Sequence, residues 1–368
     1  MKIKRVSLWK LPLISHEPYH MAEGKSCVST DSMIARVETD TGLSGWGENC
    51  PIPHYLPAYA SGVEAALDYM MPQILGANPI GAEALMAALD RFLLGHNYAK
   101  SILDMAFWDL TAKASGQALY NLLGGRRSKA MPVYHSITCV EPNEMAVIAK
   151  DAMERGVTQF QVKLGADKNW EADVARMRLV RETVETAHFV YADWNCGSSK
   201  LDAIRTARAV ADIDIMLEQP CETIADCATV KRSTGLPMKL DESTKTPADV
   251  LEAYEADCLD ATALKISKFG GLSAARRARD LCVTLGVKMC VEDTWGGDIV
   301  TAAALHLAAS TEPKFLLNVC DLSNYVGPRL DPNSPSRHDG YIEPSDAVGL
   351  GVSPNLDILG TPQRVWEN

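Results

Sequence analysis

From Pro132 onward, the chain alternates short apolar segments of strand character with longer segments whose apolar residues recur at helical spacing. Parallel neighbouring strands need crossover helices, and eight such strands close a barrel, so this pattern predicts an α/β barrel. The predicted strands span 132–137, 159–163, 188–193, 213–218, 237–241, 260–265, 287–291 and 315–319, and the predicted helices span 142–155, 169–187, 200–211, 222–234, 247–256, 271–285 and 297–309.

The first third of the chain follows a different pattern. Its predicted strands span 2–11, 27–39 and 44–48, and its predicted helices span 62–75, 80–94, 99–114 and 117–122. The turn Asp40-Thr-Gly-Leu between the second and third strands predicts an antiparallel hairpin. A barrel alone needs about 250 residues, and the chain has 368, so we expect a smaller α+β domain before it. The tail from residue 340 shows no helical pattern and is expected to pack back on this first domain.

Five charged residues close five successive predicted barrel strands. They are Lys163, Asp193, Glu218, Asp241 and Lys265. Because the carboxyl ends of parallel strands meet on one face, where α/β barrels carry their chemistry, these side chains are expected to form one site. A single acidic residue after a strand is often only a helix N-cap or part of a charged rim. Three of them in consecutive units favour a functional site.

The three carboxylates, with no His or Cys among them, predict a metal site made of oxygen ligands. Such a site selects Mg²⁺ or Mn²⁺ over Zn²⁺. A divalent ion there can hold a substrate carboxylate and stabilise the dianion formed when the α-proton leaves. Lys239 and Glu242, which flank Asp241, are expected on other faces.

The two lysines are candidate bases for that proton transfer. The ordinary lysine pKa of about 10.4 must fall for this role, and burial beside a divalent cation or a second ammonium lowers it. Because Lys163 and Lys265 come from opposite sides of the carboxylate-bearing strands, they are expected to flank a substrate on two faces. A glycosidase also uses paired barrel carboxylates, but it has no use for two lysines at strand ends.

Composition limits the class of protein and its partners. The net charge is −11 and no segment is rich in Lys or Arg, which disfavours a nucleic-acid partner. The ten cysteines are scattered in apolar segments without CxxC spacing, so we expect reduced core thiols. The first residues return to polar side chains too soon for a signal peptide, and no apolar stretch has the length of a membrane span. These patterns predict a cytoplasmic protein.

Several motifs together resemble the enolase superfamily, and within it the muconate-lactonizing-enzyme subgroup. The motifs are Lys163, Asp193-Trp-Asn195, Glu218-Gln-Pro, Asp241-Glu and Leu264-Lys-Ile-Ser-Lys-Phe-Gly-Gly271. The resemblance covers essentially the whole chain. It implies that Asp193, Glu218 and Asp241 bind Mg²⁺ and that the two lysines form the acid/base pair.

The resemblance also implies how the chain is divided. An α+β capping domain at 1–128 is expected before a modified (β/α)₇β TIM barrel at 129–335, and a C-terminal segment at 336–368 is expected to pack back on the capping domain. One residue departs from the family pattern, because the usual Lys-x-Lys of the second barrel strand is Gln161-Val-Lys163 here. An amide is thus expected where a second ammonium is usual, and Gln161 is a candidate substrate-binding residue.

The subgroup includes cycloisomerases, succinylbenzoate synthases, dipeptide epimerases, betaine epimerases and a cis-3-hydroxyproline dehydratase. The stretches Gly95–Lys100, Glu218–Cys221 and Val291–Asp298 resemble the last two. The leading hypothesis is dehydration of cis-3-hydroxy-L-proline to Δ1-pyrroline-2-carboxylate, with 2-epimerase side activity on proline-type substrates. The alternatives are epimerisation of proline or hydroxyproline betaine, of other amino acids or of dipeptides, and cycloisomerisation.

Asp321 bears on the choice between these hypotheses. Dipeptide epimerases usually carry Asp-x-Asp after the last strand, whereas this chain has Cys320-Asp-Leu-Ser323. A quaternary betaine ammonium needs an aromatic face, whereas a ring N–H needs an acceptor. Asp321 is expected to face the barrel mouth and pair with a ring ammonium, which favours an imino acid with a free ring nitrogen.

Four other residues are expected beside the substrate. Tyr55 lies in a Pro-rich loop of the kind that closes over the substrate in this family, although such a loop also places aromatics for packing. Asn195 is expected close to the metal ligands without binding the ion. Asp293 is expected to orient a lysine, and Trp295, before two glycines, to approach the ligand closely.

One alternative is not an enzyme but a metal-dependent carboxylate-binding protein. Lys163 and Lys265 speak against it, because binding a carboxylate to Mg²⁺ requires no base. The expected partners are a small carboxylate substrate, either an imino acid or a betaine, and further copies of the chain in a homo-oligomer.

Overall fold

The computed structural model describes all residues 1–368, and two sheets dominate it. One is an eight-stranded parallel sheet, and the other is a five-stranded antiparallel sheet. No helix has both the length and the apolar character that crossing a lipid bilayer requires.

The elements alternate regularly from the middle of the chain onward. The strands are β1 (Ile3–His20), β2 (Ser26–Thr39), β3 (Ser44–Asn49), β4 (Met131–Pro132), β5 (His135–Ile137), β6 (Gln159–Lys163), β7 (Phe189–Asp193), β8 (Met216–Glu218), β9 (Met238–Leu240), β10 (Ala261–Lys265), β11 (Lys288–Glu292), β12 (Leu316–Val319), β13 (Val326–Gly327), β14 (Tyr341–Ile342) and β15 (Arg364–Glu367). The helices are α1 (Ala60–Ile74), α2 (Ala82–Phe92), α3 (Asn97–Ala114), α4 (Leu119–Leu122), α5 (Pro142–Glu154), α6 (Trp170–Thr183), α7 (Lys200–Ala209), α8 (Ile224–Thr234), α9 (Pro247–Glu255), α10 (Ile266–Phe269), α11 (Leu272–Leu285), α12 (Asp298–Ala309) and α13 (Leu356–Leu359).

The parallel sheet runs in chain order from β5 to β12. Strands β6 and β10 are buried along their whole length, as expected where helices cover one face and the barrel interior the other. A parallel bridge between Val133, just before β5, and Val319 at the end of β12 closes the sheet. The α/β fold predicted from the sequence, a modified (β/α)₇β TIM barrel preceded by an α+β capping domain, is confirmed.

The antiparallel sheet and α1 to α4 form the N-terminal capping region. The hairpin of β2 and β3 matches the predicted one. Strand β3 packs directly on α3, because Gly45 and Gly47 let the two backbones approach. A Cβ at these positions would lie 2.2 Å from the backbone oxygen of Ala106 and 1.9 Å from that of Ile102.

Strand β1 is longer than the predicted segment 2–11. An irregular stretch between Ile14 and Tyr19 interrupts its pairing with β2, and the pairing then resumes to His20. The backbone N–H of His20 donates to the Thr138 hydroxyl at 2.6 Å. The extension thereby carries Tyr19 over the end of the barrel.

The end of the chain returns to the first sheet. Strands β13 and β15 both pair antiparallel with β1. The backbone N–H of the last residue, Asn368, donates to the oxygen of Lys4 at 3.1 Å. The tail also contains the short helix α13, which the sequence pattern does not predict, and the side chain of Asn355 caps it by accepting from the N–H of Asp357.

Candidate active site

The five charged residues lie at the C-terminal ends of neighbouring barrel strands. Lys163 is aligned with Asp193, and Asp193 with Glu218. Asp241 directly follows β9, and Lys265 is the last residue of β10. All five are buried, and the most exposed of them, Lys265, is 6% exposed. At this depth an unpaired charge is costly, so the contacts of each side chain decide what the site can do.

Lys163 lies against Asp193. Its Nζ is 2.5 Å from Oδ2 of Asp193 and 3.2 Å from Oδ1 of Asn195. The ring centroid of Tyr19 lies 5.6 Å from the same ammonium. Burial opposes the charge, but Asp193, Tyr19 and Glu218 together raise the pKa of Lys163 above its usual value. Lys163 is therefore protonated in this arrangement.

Lys265 lies on the other side of the carboxylates. Its Nζ is 2.5 Å from Oδ2 of Asp241 and from the hydroxyl of Tyr55. A second ammonium, that of Lys268, is 2.8 Å from Oδ1 of Asp241. Burial opposes the charge on Lys265, but the carboxylates around it, Asp241 above all, raise its pKa. Burial lowers the pKa of Lys268.

Gln161 places an amide beside Lys163 that binds two carboxylates. Its Nε2 donates to Oδ2 of Asp193 at 3.1 Å and to Oε2 of Glu218 at 2.8 Å. The hydroxyl of Ser136 donates to Oε1 of Gln161 at 2.5 Å, which turns the amide nitrogen toward the carboxylates. Burial and the nearby charge of Asp193 raise the pKa of Glu218 to about 7.

Lys239 points into the barrel, so the expectation that it lies on another face than Asp241 is wrong. Its Nζ is 2.9 Å from Oε1 of Glu218 and 3.5 Å from Oε1 of Glu292, and it lies 4.3 Å from the ring centroid of Tyr191. Residues two positions apart share one face of a strand, so the spacing from 239 to 241 predicts that Lys239 lies on the same face as Asp241.

Glu242 also reaches the site, which corrects the second expectation about the neighbours of Asp241. The amide nitrogen of Asn195 donates to Oε1 of Glu242 at 3.1 Å and to Oδ2 of Asp193 at 3.0 Å. Burial and the charges of Asp241 and Asp193 raise the pKa of Glu242 to about 8. A fourth acidic group thus borders the predicted metal ligands.

The donor set fits a hard divalent cation by its chemistry. The three predicted ligands offer only carboxylate oxygens, and Oε2 of Glu242 is a buried oxygen that accepts no hydrogen bond. In this structure no three acidic, histidine or cysteine side chains gather around a single point. Amino and amide groups draw the carboxylates apart, with Lys163 on Asp193, Lys239 and Gln161 on Glu218, and Lys265 and Lys268 on Asp241.

Asp293 and Trp295 lie in the segment between β11 and α12. Asp293 accepts from the backbone N–H of Ser267 at 3.0 Å and from its hydroxyl at 2.8 Å, which fixes the turn just after Lys265. Burial raises the pKa of Asp293 to about 6. The indole N–H of Trp295 is buried and has no acceptor.

Asp321 is held by Arg337. The guanidinium donates to both carboxylate oxygens, at 2.5 and 2.7 Å, and the amide nitrogen of Asn324 adds a bond of 2.8 Å. The side chain of Asp321 has no exposed surface. This geometry gives no support to the expectation that Asp321 pairs with a ring ammonium. The sequence offers no sign of the pair, because Arg337 lies in an irregular segment 16 residues away.

Lys163 and Lys265 line one cavity of about 40 Å³. Tyr55, Gln161, Asp293 and Trp295 line it as well. A second cavity of about 340 Å³ lies outside it. The two cavities share Tyr19, Ser136, Trp295 and Tyr325.

Three aromatic side chains form a wall between these cavities. The ring centroids of Tyr19 and Trp295 are 5.3 Å apart, and those of Trp295 and Tyr325 are 6.1 Å apart. Sequence reasoning identified Trp295 but neither tyrosine. Tyr19 was missed because β1 extends past its predicted end, and Tyr325 because it follows a short 3₁₀ turn at Leu322–Asn324.

Comparison with known proteins gives matches along nearly the whole chain. Residues 5–124 match the mandelate racemase / muconate lactonizing enzyme N-terminal domain, and residues 144–358 match the family described as enolase C-terminal domain-like. The chain is similar to cis-3-hydroxy-L-proline dehydratase of Roseibium aggregatum, with 38% identity over 98% of this chain and 99% of that protein. It is similar to N-succinyl-L-Arg/Lys racemase of Bacillus cereus, with 26% identity over 98% and 97%.

A solved structure extends the comparison to three dimensions. A member of the enolase superfamily from Roseovarius nubinhibens, complexed with magnesium, superposes with a TM-score of 0.94. The two chains are 32% identical, and the match covers 100% of each.

Proposed function

The chain belongs to the mandelate racemase / muconate lactonizing enzyme family of the enolase superfamily, and on this premise we propose that it removes the proton α to the carboxylate of a small imino acid. One observation carries the proposal: Lys163 and Lys265 line the same cavity from the two ends of a row of carboxylate-bearing strands. One amine takes the α-proton, and the other ammonium donates a proton to the leaving group or to the opposite face.

The proposed cofactor is Mg²⁺, with Asp193, Glu218 and Asp241 as its ligands. When bound, the ion neutralises the substrate carboxylate and the negative charge that develops on it as the α-proton leaves. Asn195 and Glu242 border these ligands, and Gln161 bridges two of them in their present arrangement. The all-oxygen donor set and the magnesium complex of the similar structure support this assignment. Mn²⁺ has the same preference for oxygen ligands.

The substrate proposed first is cis-3-hydroxy-L-proline, which loses water to give Δ1-pyrroline-2-carboxylate. Removal of the C2 proton and departure of the 3-hydroxyl yield an enamine, which tautomerises to the cyclic imine. The similarity to the Roseibium dehydratase over nearly the full length of both chains supports this choice. With a proline-type substrate that lacks the leaving group, the same two lysines return a proton to C2, which gives 2-epimerase side activity.

The aromatic wall favours a second candidate, a 2-epimerase acting on the betaine of proline or hydroxyproline. Tyr19, Trp295 and Tyr325 line the cavity, and aromatic rings bind quaternary ammonium groups. Asp321, the acceptor expected for a ring N–H, is engaged by Arg337.

A comparison of kcat/KM for cis-3-hydroxy-L-proline and for proline betaine separates the two candidates. Turnover of the hydroxyproline with release of the cyclic imine supports the dehydratase. A clear preference for the betaine, with inversion at C2, would overturn the dehydratase proposal and support the epimerase. Absence of α-proton exchange in D₂O for proline, hydroxyproline, betaine and dipeptide substrates alike would exclude both and favour a carboxylate-binding protein.

A further inference from the structure

Two barrel helices begin with a glycine pair, and each receives a carboxylate from the N-terminal capping region. Helices α6 to α9 are capped by their own N-cap side chains, those of Asn169, Ser199, Thr223 and Thr246. Helices α11 and α12 follow Gly270-Gly271 and Gly296-Gly297, and their N-cap glycines have no side chain for this role. The orphan N–H groups at these two ends need acceptors from elsewhere.

Glu48 of β3 supplies the acceptors for α12. Its Oε1 accepts from the N–H of Gly297 at 2.8 Å, and its Oε2 accepts from those of Ile299 and Val300 at 3.0 Å each. The hydroxyl of Ser32 donates to Oε1 at 2.7 Å. Glu48 is completely buried, and its negative charge lies at the positive end of the helix dipole.

The absence of a Cβ at Gly297 makes room for this carboxylate, and its absence at Gly296 makes room for Val300. A Cβ at Gly297 would lie 2.8 Å from Oε1 of Glu48, and a Cβ at Gly296 would lie 1.9 Å from Cγ1 of Val300. The second pair works in the same way with Asp104 of α3. Its Oδ2 accepts from the N–H of Ser273 at 2.8 Å, and a Cβ at Gly271 would lie 2.3 Å from that oxygen.

The α12 contact acts on the candidate site, because Gly297 ends the segment that carries Asp293 and Trp295. The capping region also holds the middle of this segment, where the hydroxyls of Tyr98 and Thr294 are 2.5 Å apart. Glu48 itself lies near the end of β3, seven residues before Tyr55, which contacts Lys265. One side chain thus ties β3, which leads into the loop with Tyr55, to the segment with Trp295.

We propose that Glu48 is a positioning residue that sets the wall of the cavity by fixing the segment 293–297 against the capping region. It touches neither lysine nor the predicted metal ligands, so it acts through the backbone of Gly297. Only the kinetic part of this proposal rests on the proposed function. The structural part concerns the helix end and Trp295 and needs no substrate.

The test is Glu48→Gln, with Glu38→Gln as its matched control. The amide keeps the size of the side chain but turns an NH₂ group toward backbone N–H donors, whereas Glu38 lies in neighbouring β2 with 31% of its side chain exposed. Hydrogen exchange of the amides at 297–300 should rise at least about tenfold in Glu48→Gln, since hydrogen bonds to a charged group are lost. It should be unchanged in Glu38→Gln.

Trp295 gives a second readout that is independent of substrate. In protein labelled with 5-fluorotryptophan, its ¹⁹F resonance, assigned with Trp295→Phe, should shift or broaden in Glu48→Gln and not in the control. Ser32→Ala removes a single hydrogen bond to Glu48 and keeps the three backbone bonds of Glu48 to α12. It should therefore raise amide exchange at 297–300 and shift the Trp295 resonance in the same direction, but less than Glu48→Gln does. It keeps the test decisive if Glu48→Gln does not fold.

The kinetic readout separates a positioning role from a purely structural one. With the substrate that the parent enzyme turns over, KM should rise about tenfold in Glu48→Gln while kcat stays within about threefold, the pattern of lost binding without lost chemistry. Unchanged amide exchange and an unmoved Trp295 resonance would overturn the proposal whether or not any substrate is turned over. Faster exchange with both KM and the Trp295 resonance unchanged would also overturn it and leave the proposed function intact.

Discussion

On the Lys163 side of the site, the ammonium contacts Asp193, an amide oxygen of Asn195 and the face of Tyr19. On the Lys265 side, the ammonium contacts Asp241 and the hydroxyl of Tyr55, and the ammonium of Lys268 shares the same carboxylate. Each ammonium lies near a tyrosine ring, Lys163 at 5.6 Å from the centroid of Tyr19 and Lys265 at 4.5 Å from that of Tyr55, so the two sides differ in the second positive charge on Asp241.

The difference shows that equivalent strand ends do not make equivalent lysines. A like charge close by favours the neutral amine, and only Lys265 has a second ammonium on its own carboxylate. The carboxylates raise the pKa of both lysines, and we expect Lys265 to be the one that loses its proton and acts as base for the substrate's α-proton, with Lys163 as the acid.

Removal of the divalent ion should have the largest effect, because the proposed roles of Lys163 and Lys265 both depend on it. The ion would neutralise the negative charge that develops on the substrate carboxylate as the α-proton leaves. Exhaustive EDTA treatment, confirmed by elemental analysis, should reduce turnover to background, and added Mg²⁺ should restore it. Full turnover by metal-free protein would refute the metal site.

Replacement of either lysine by Ala should lower kcat by about 10²- to 10⁴-fold, the usual contribution of a general acid or base. The two variants should differ in D₂O. Lys163→Ala should still exchange the substrate α-proton faster than it completes the reaction, and Lys265→Ala should lose exchange and turnover together. The reverse pattern would make Lys163 the base and Lys265 the acid. Near-normal rates in both variants would show that neither lysine is a general acid or base.

A matched pair of tyrosine variants tests the surroundings of each lysine. Tyr55→Phe removes a hydroxyl that contacts both Lys265 and Asp241, and it should lower kcat/KM by about 10- to 100-fold. Tyr19→Phe removes a hydroxyl that bonds Ser136 and keeps the ring that faces Lys163, so its effect should stay within about threefold. Equal losses in the two variants would contradict the asymmetry.

Asp321→Asn should have the smallest effect on specificity. Since Asp321 binds Arg337, the substitution should lower the free energy of unfolding by about 3 kcal/mol, and less if solvent reaches Arg337. It should change kcat/KM for a free imino acid and for a betaine by the same factor. A loss confined to the imino acid would restore Asp321 as the partner of a ring ammonium. Urea unfolding and paired kinetics measure both quantities.

The sequence predicts the positions that follow from regular strands. Lys163, Asp193, Glu218, Asp241 and Lys265 could be located because each ends a strand and strand ends meet on one face of a barrel. The same periodicity, applied two residues back from Asp241, would have placed Lys239 inside the barrel.

Contacts between distant segments could not be predicted in this way. Asp321 depends on Arg337 in an irregular segment, and Glu48 depends on a helix about 250 residues later in the chain. Neither partner is encoded in local periodicity, and both become visible only when the capping region lies on the barrel. Gln161 could be predicted in part. Strand alternation predicts that its side chain lies on the same side as Lys163, but not that its amide binds both Asp193 and Glu218.

The pairing of β15 with β1 has a consequence for how the protein is made. Val6 lies opposite Trp366, so β1 is synthesised long before the strand that completes this side of its sheet. Such a long sequence separation slows folding, and the edge of β1 that stays unpaired until then favours aggregation. The barrel strands pair in chain order, so they can assemble before β15 is made. Because Asn368 lies beside Lys4, a short linker between residues 1 and 368, with new ends opened elsewhere in the chain, would let β15 pair with β1 early in folding.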